Sequence, residues 1–503
     1  MNAFSIYTEE KNIPQIKQIV DAQFRLNEIV TVNDLSGIQT DSTNQYLIVN
    51  DGIRLPVDWN NDFPPYLFSL PIPFSEENLL AILYARLNNY ELAYSFCEND
   101  QALLKEIDSI NCIQNGIEIT PIQEPEHFES AYEQYRFLHN QAIIIHYGNL
   151  TTSGWYQQLG QYYASAFDKA TNDEGKAFTG KHWATYLLDS EELITAEQLL
   201  DKCISFAISD DARHELMSVQ YAVWMKQLVV PYDQDLLERI KNTLWQVLQY
   251  QEKKQNTAQT ALLLIDASHI ANLTDSFAES LGYITRAINL LEDLELPELL
   301  ASAHYRKGTL LYTWSQNGNP QFLRPAMEAY QRALKVFSKE QAPDTFAEIQ
   351  HHLGVIYSEI PDEVRKKSIW AAVSISSFNE ALSYFTRENN PYEYARVCNN
   401  FANALTKYPD ARLSDNYAKA LSFYRDALEI RTAASYPDER ALTILNFLEA
   451  AWFVSQPNGL AEQSLFQEMA EMAVEIENLV QDEFLHEQAN RHLLRLEELR
   501  LVL

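Results

Sequence analysis

Along most of this chain apolar residues recur at the three- and four-residue spacing of amphipathic helices, and small residues punctuate that pattern at long, regular intervals. Ala287, Ala333, Ala381 and Ala427 form one series, Pro297, Pro343, Pro391 and Pro437 a second, and Ala301, Ala347, Ala395 and Ala441 a third. Each series advances by 46, 48 and 46 residues. Three series in one phase predict a tandem array, because one helical pair cannot bury its apolar face alone. The prolines, followed by Glu298, Asp344, Tyr392 and Asp438, mark helix starts. Proline at the first helical position lacks only an N–H that has no partner there, and an acid behind it meets the positive helix end.

Upstream the same texture is tighter. Ser75 reads as a helix N-cap with Glu77 and Asn78 in the first turn. Leu80, Ala81, Tyr84, Tyr90, Ala93 and Cys97 then fall at offsets 7, 8, 11, 17, 20 and 24 of a tetratricopeptide (TPR) repeat, with Asn88 and Asn89 at the turn. Trp183, Ala184, Leu187, Ala196 and Leu200 repeat that phase, as do Ala267, Ser268, Ala271, Phe277, Ser280 and Ile284. Small residues at offsets 8 and 20 let two antiparallel helices approach. The later half is similar to the long-period arrays of bacterial TPR proteins, on the stretches PDTFAEIQHHLGVIY, PYEYARVCNNFANAL and PDERALTILNFLEAA. Lys307 and Phe447 depart from the Leu of that pattern, and Leu448 from its small residue.

The resemblance implies an all-α, right-handed superhelix of helical hairpins, here with a small mixed α/β cap at the N-terminus. Gly308 to Ala333 spans 25 residues where a standard repeat has about 19, and Ala333 to Ala347 spans 14 where it has about 8. The expected form is longer helices joined by longer loops, such as 315–320 and 409–415.

The first 74 residues are less regular. Ile13 to Ile29 predicts a short helix opened by Pro14. Tyr46–Val49 and Ile53–Val57 flank Asn50, Asp51 and Gly52, a hairpin signal that supplies positive φ. Pro64, Pro65, Pro71 and Pro73 form a connector, and a second hairpin is expected where Gln114, Asn115 and Gly116 separate Ile110–Ile113 from Ile117–Ile119. Further on, 211–229 and 232–251 read as a degenerate helix pair. Ala473 continues the 46-residue series within two terminal capping stretches rich in Glu and Leu. Four segments result: 1–128 as cap, 129–260 as degenerate hairpins, 261–460 as the array and 461–503 as the closing helices.

Charge narrows the partners. The 503 residues carry a formal net charge of −32, distributed along the whole length. Nucleic acid and anionic membrane both require clustered cations, so neither is expected as a partner. No apolar run approaches the ~18 residues of a membrane span, and the N-terminal stretch lacks the apolar core of a signal peptide, which reads as cytoplasmic. Cys97, Cys112, Cys203 and Cys398 lack metal or disulfide spacing and read as buried thiols.

Catalytic motifs are weak. Gly175, Gly180 and Lys181 fit a phosphate-loop spacing, but His182 stands where Ser or Thr would hold magnesium, and the preceding stretch reads as helix. His351 and His352 point about 100° apart on a helix. His139 and His146 share a face without a third ligand. The reading is therefore non-enzymatic, with no cofactor and no metal. In TPR superhelices the groove is lined by first-helix offsets 2, 5, 9, 12 and 13, which the resemblance places on Tyr305, Thr309, His351, Arg396, Asn399, Asn403, Lys407 and Glu449. Side-chain amides there can hold an extended peptide's backbone. The expected function is a scaffold for a protein or peptide, or else a regulator whose superhelix responds to a ligand.

Overall fold

A computed structural model of the chain describes residues 4–37, 46–59, 63–150, 153–409, 415–454 and 460–502. Two compact units emerge, Met1–Leu263 and Leu264–Leu503.

The first unit opens with a mixed sheet. Strand β1 (Phe4–Thr8) is followed by helix α1 (Ile13–Asp21), β2 (Val30–Asp34), β3 (Tyr46–Val49) and β4 (Ile53–Arg54). The strand order is β2-β1-β3-β4, with β1 parallel to both neighbours and β4 antiparallel to β3. The expected helix at Pro14 is present but ends at Asp21. The hairpin at Asn50–Gly52 also forms, though Gly52 serves another purpose than positive φ. A Cβ on it would stand 2.9 Å from Pro71 Cβ, so the residue is small to let the proline connector cross.

Helices α2 (Glu76–Arg86) and α3 (Tyr90–Phe96) make the first hairpin. Ser75 Oγ accepts from the Asn78 N–H at 3.0 Å as its N-cap. The second expected hairpin is replaced by helix α4 (Gln101–Asn115), capped by Gly116 at φ +63°. Asn-Gly suits a helix C-terminus as well as a strand turn, and Leu103, Ile107 and Ile110 already set a helical spacing that buries one face. Strand β5 (Glu118–Ile119) pairs instead in parallel with β6 (Asn149–Leu150), across α5 (Ala131–Tyr147).

Helical hairpins follow: α5 with α6 (Leu159–Lys169), α7 (Asp173–Asp189) with α8 (Leu193–Ile204), and α9 (Asp210–Gln227) with α10 (Gln234–Lys253). Gly180 lies against Cys203, whose Sγ would collide with a Cβ built there. That contact fixes how closely α7 and α8 approach.

Helix α11 (Thr257–Leu273) leads into the second unit, which continues with α12 (Phe277–Glu292). Hairpins α13 (Pro297–Gln316) with α14 (Leu323–Ala333), α15 (Pro343–Glu359) with α16 (Val364–Leu382) and α17 (Pro391–Leu405) with α18 (Asn416–Ile430) follow in order. The unit closes with α19 (Pro437–Ala451), α20 (Leu460–Leu479) and α21 (Glu483–Val502). All four series prolines open their helices as expected. Each unit is thus a tandem of TPR-like helical hairpins, with the small mixed sheet at the N-terminus.

The extra length of the long repeats is shared between helices and connections: α13 and α16 run to 20 and 19 residues, while other added residues lie between helices. Helix α14 has only 11 residues, and residues 334–342 link it to α15. A proline at each first-helix start ends whatever precedes it, so inserted residues collect there. The expected loop at 409–415 falls mostly outside the described residues.

Candidate functional site

In the second unit the first-helix faces carry a connected set of polar side chains. Thr309 and Tyr305 sit one turn apart on α13, and the Thr309 hydroxyl lies 3.1 Å from Tyr330 Oη. The Tyr330 ring stacks on His352 at 5.3 Å, and His352 Nε2 stands 3.1 Å from Glu348. Glu348 also takes Arg396, which donates to Glu393 at 2.6 Å as well. Burial alone would raise the Glu348 carboxyl, but the bonds from His352 and Arg396 outweigh it and hold the group well below the usual range.

His351 and Asn399 stand deeper, nearly removed from solvent. Asn400 donates its Nδ2 to His351 Nε2 at 2.9 Å, so the proton of this imidazole is on Nδ1. That nitrogen and Asn399 Oδ1 have no hydrogen-bond partner among the described residues. Burial, together with His352 and Arg396, drives the His351 pKa far down and keeps it neutral. Asn403 Oδ1 accepts from Tyr424 Oη at 2.6 Å. Lys407 pairs at 2.8 Å with Glu359, which also accepts from Gln316. Glu449 meets His492 at 3.3 Å. The structure therefore joins Tyr305, Thr309 and Arg396 in one network and sets Lys407 beside a separate cleft of about 520 Å³, whose walls include Trp370 and Tyr408.

A larger cleft, about 670 Å³, opens within the first unit on the faces of α7 and α9. Lys181 and Glu215 lie in its wall, 2.7 Å apart and both largely buried. Helices α7 and α9 start 37 residues apart, at Asp173 and Asp210, so the pair joins different positions of two successive first helices. Beside them His182 takes Tyr147 Oη at its Nδ1, 2.9 Å away, and its Nε2 has no partner among the described residues. The phosphate-loop resemblance at Gly175–His182 falls entirely inside helix α7, where no loop exists to cradle a phosphate.

The proline connector runs beside this cleft without helix or strand, and its backbone is held by side chains. His139 Nε2 donates to the Pro65 carbonyl at 2.8 Å. Because a carbonyl only accepts, His139 Nδ1 must be the acceptor for Thr179 Oγ1 at 2.9 Å. Asn140 takes both backbone groups of Leu67, the N–H at 2.9 Å and the carbonyl at 2.8 Å. Tyr132 Oη donates to the Phe68 carbonyl, and the Ser69 N–H meets Glu106. Burial raises the Glu106 carboxyl to about 7 even though Arg136 stands against it. Four aromatic side chains of this segment, Trp59, Phe63, Tyr66 and Phe68, are buried.

Among the described residues no group of three His, Cys, Asp or Glu side chains is arranged to hold a metal ion, and no helix is long and apolar enough to cross a membrane. No known family profile and no curated protein matches the chain. Among solved structures it is similar to yeast Tom70, at 12% identity over 84% of this chain and 82% of that one, with a TM-score of 0.31. The TPR domain of P58(IPK) matches at 12% identity over 84% and 98%, with a TM-score of 0.24. A circular tandem repeat protein matches at 12% identity over 84% and 94%, with a TM-score of 0.20.

Proposed function

We propose that this chain is a non-enzymatic scaffold or adaptor that holds a protein or an extended peptide against its first-helix faces. The observation that supports the reading best is the Asn140–Leu67 clamp, in which one side-chain amide takes both hydrogen-bonding groups of a peptide backbone. In the second unit the proposed contact set is Asn399 and Asn403, whose amides also bond to Asn400 and Tyr424, with Tyr305, Thr309, His351, Arg396, Lys407 and Glu449. We place the protein in the cytoplasm, as a long-period repeat protein of bacterial type acting in a signalling or defence complex. Its proposed organisation is a cap over 1–128, degenerate hairpins over 129–260, the array over 261–460 and closing helices over 461–503.

Photo-crosslinking residues placed at Thr309, Asn403 and Lys407 test this reading in the native host extract. A discrete partner joined at two or more of these sites is the expected result. Crosslinks that never exceed those from a site on the outer face of α18 would remove its basis. A second reading, a regulator that responds to a ligand, is favoured by the 670 Å³ cleft lying against the proline connector of the cap. Small-angle scattering of the chain with and without bound ligand separates the two, since only the regulator changes dimensions.

A further inference from the structure

We propose that the 670 Å³ cleft on the α7 and α9 faces is a docking site for an extended, proline-rich peptide flanked by lysine or arginine. The inference rests on the scaffold reading and names the partner class of one groove.

The connector shows how this part of the molecule takes a chain. Pro65, Leu67, Phe68 and Ser69 have their backbone groups satisfied by helix side chains and not by a sheet edge. The cleft starts at the same segment, with Phe63, Pro64 and Pro65 as one wall, and continues onto the next first helix. A second chain seated there extends an interface that the protein already makes with itself.

The lining fits that occupant. Phe63, Tyr147 and Tyr221 supply rings, while Leu188, Val219 and Ala222 supply an apolar floor. A polyproline II chain suits an aromatic-lined groove because it arrives preformed, losing little entropy, with its carbonyls free for donors. His182, buried and neutral, backs the wall with its Nδ1 2.9 Å from Tyr147 Oη, which holds one of the lining rings in place.

Charge selects the flanks. Lys181 and Glu215 neutralise each other, and the second Glu215 oxygen faces Gln251 at 3.4 Å, so the centre of the cleft prefers no net charge. Residues 1–263 carry 17 Lys and Arg against 36 Asp and Glu. Cationic ends are drawn toward such a field and acidic ends are repelled.

Fluorescence anisotropy with the full chain tests the proposal, using one labelled peptide with a proline-rich core and lysine flanks. Its controls have glutamate flanks in one case and glycine for proline in the other. The lysine-flanked proline peptide should bind at least about tenfold tighter than either control, and more weakly as salt rises. Val219→Arg should remove that binding, whereas Lys339→Ala, at an exposed ion pair with Glu380 in the second unit, should leave it unchanged. If Val219→Arg lowers the melting temperature, Ser218→Phe fills the cleft without adding charge and carries the same expectation. Equal affinities for the three peptides, or binding indifferent to a folded cleft variant, would overturn the proposal. A protein partner that crosslinks only to the second unit, with the proline peptide ignored, would also overturn it while leaving the scaffold reading standing.

Discussion

Gly308 and Tyr330 approach so closely that a Cβ built on the glycine would stand 2.8 Å from the ring atom Cδ1. One period later Gly354 meets Phe378 in the same way, at 2.9 Å. Both rings are fully buried and cannot retreat. Gly308→Ala and Gly354→Ala are therefore expected to lower the unfolding free energy by about 1–3 kcal/mol each, the usual cost of overpacking. Urea titration followed by circular dichroism reads this. Pairing Gly308→Ala with Tyr330→Leu should return part of the loss, because the smaller side chain vacates the contact.

Asn140→Ala removes both partners of the Leu67 backbone and leaves its N–H and carbonyl unsatisfied. Each such group costs about 1–3 kcal/mol when buried. Faster amide exchange confined to the segment around Leu67 is the expected signature by hydrogen-exchange mass spectrometry, with slower change in the second unit. Uniform exchange across both units would contradict a local clamp.

Acid should weaken the first unit over a defined window. Burial lowers the pKa of His139 and His146 to about 4 and holds that of His182 well below its usual value. An unfolded histidine titrates near 6.5, so below that value the unfolded chain binds more protons than the native one and stability falls as pH drops. Glu106 works in the opposite sense, since its raised carboxyl favours the native state as pH falls from about 7 toward the unfolded value. Three imidazoles outweigh one carboxyl. Melting temperature should decline from pH 6.5 to pH 4, and His139→Gln should flatten part of that slope.

The thiols should be inert in the folded protein. All four cysteines are buried, and burial pushes Cys203 and Cys398 up to about 12. A thiolate is the reactive form, so at pH 8 an aromatic disulfide reagent should label these two only at the rate of unfolding. Labelling of Cys203 that is unaffected by denaturant would contradict its packing against Gly180, and the same result at Cys398 would contradict its burial on α17.

Much of the fold was legible because its markers are local. Proline at a helix start and a small residue where two helices cross follow from steric rules that act within one turn, so Pro343, Gly308 and Ala381 could be read directly. Gln114–Gly116 misled because Asn-Gly caps a helix as readily as it turns a hairpin. Strands β1 and β2 went unnoticed, being five residues each and paired in parallel through a crossover. The groove was harder. Arg396 and Asn403 could be placed on faces by offset, but whether His351 and Asn399 are open or covered depends on neighbours about 50 residues away. The clamp on the connector joins residues 64 to 74 apart, such as Leu67 and Asn140, which no single-sequence period connects.

Several helices of the short-period part are joined by three-residue turns whose central residue is left-handed without being glycine: Asn88, Glu191 and Asp275 between α2 and α3, α7 and α8, and α11 and α12, and Gln255 between α10 and α11, with φ from 54° to 61°. Such a hinge tolerates no change in length, because one added residue would rotate the following helix by about 100°. The connections at 317–322 and 334–342 carry no such constraint. Repeat length and helix register are thereby uncoupled in the later array. A reporter domain spliced after Gly318 should leave the melting temperature nearly unchanged, while the same graft after Gln255 should abolish cooperative unfolding. Evolution has the same freedom there: the later repeats can acquire new loops at their edges without redrawing the faces that meet a partner.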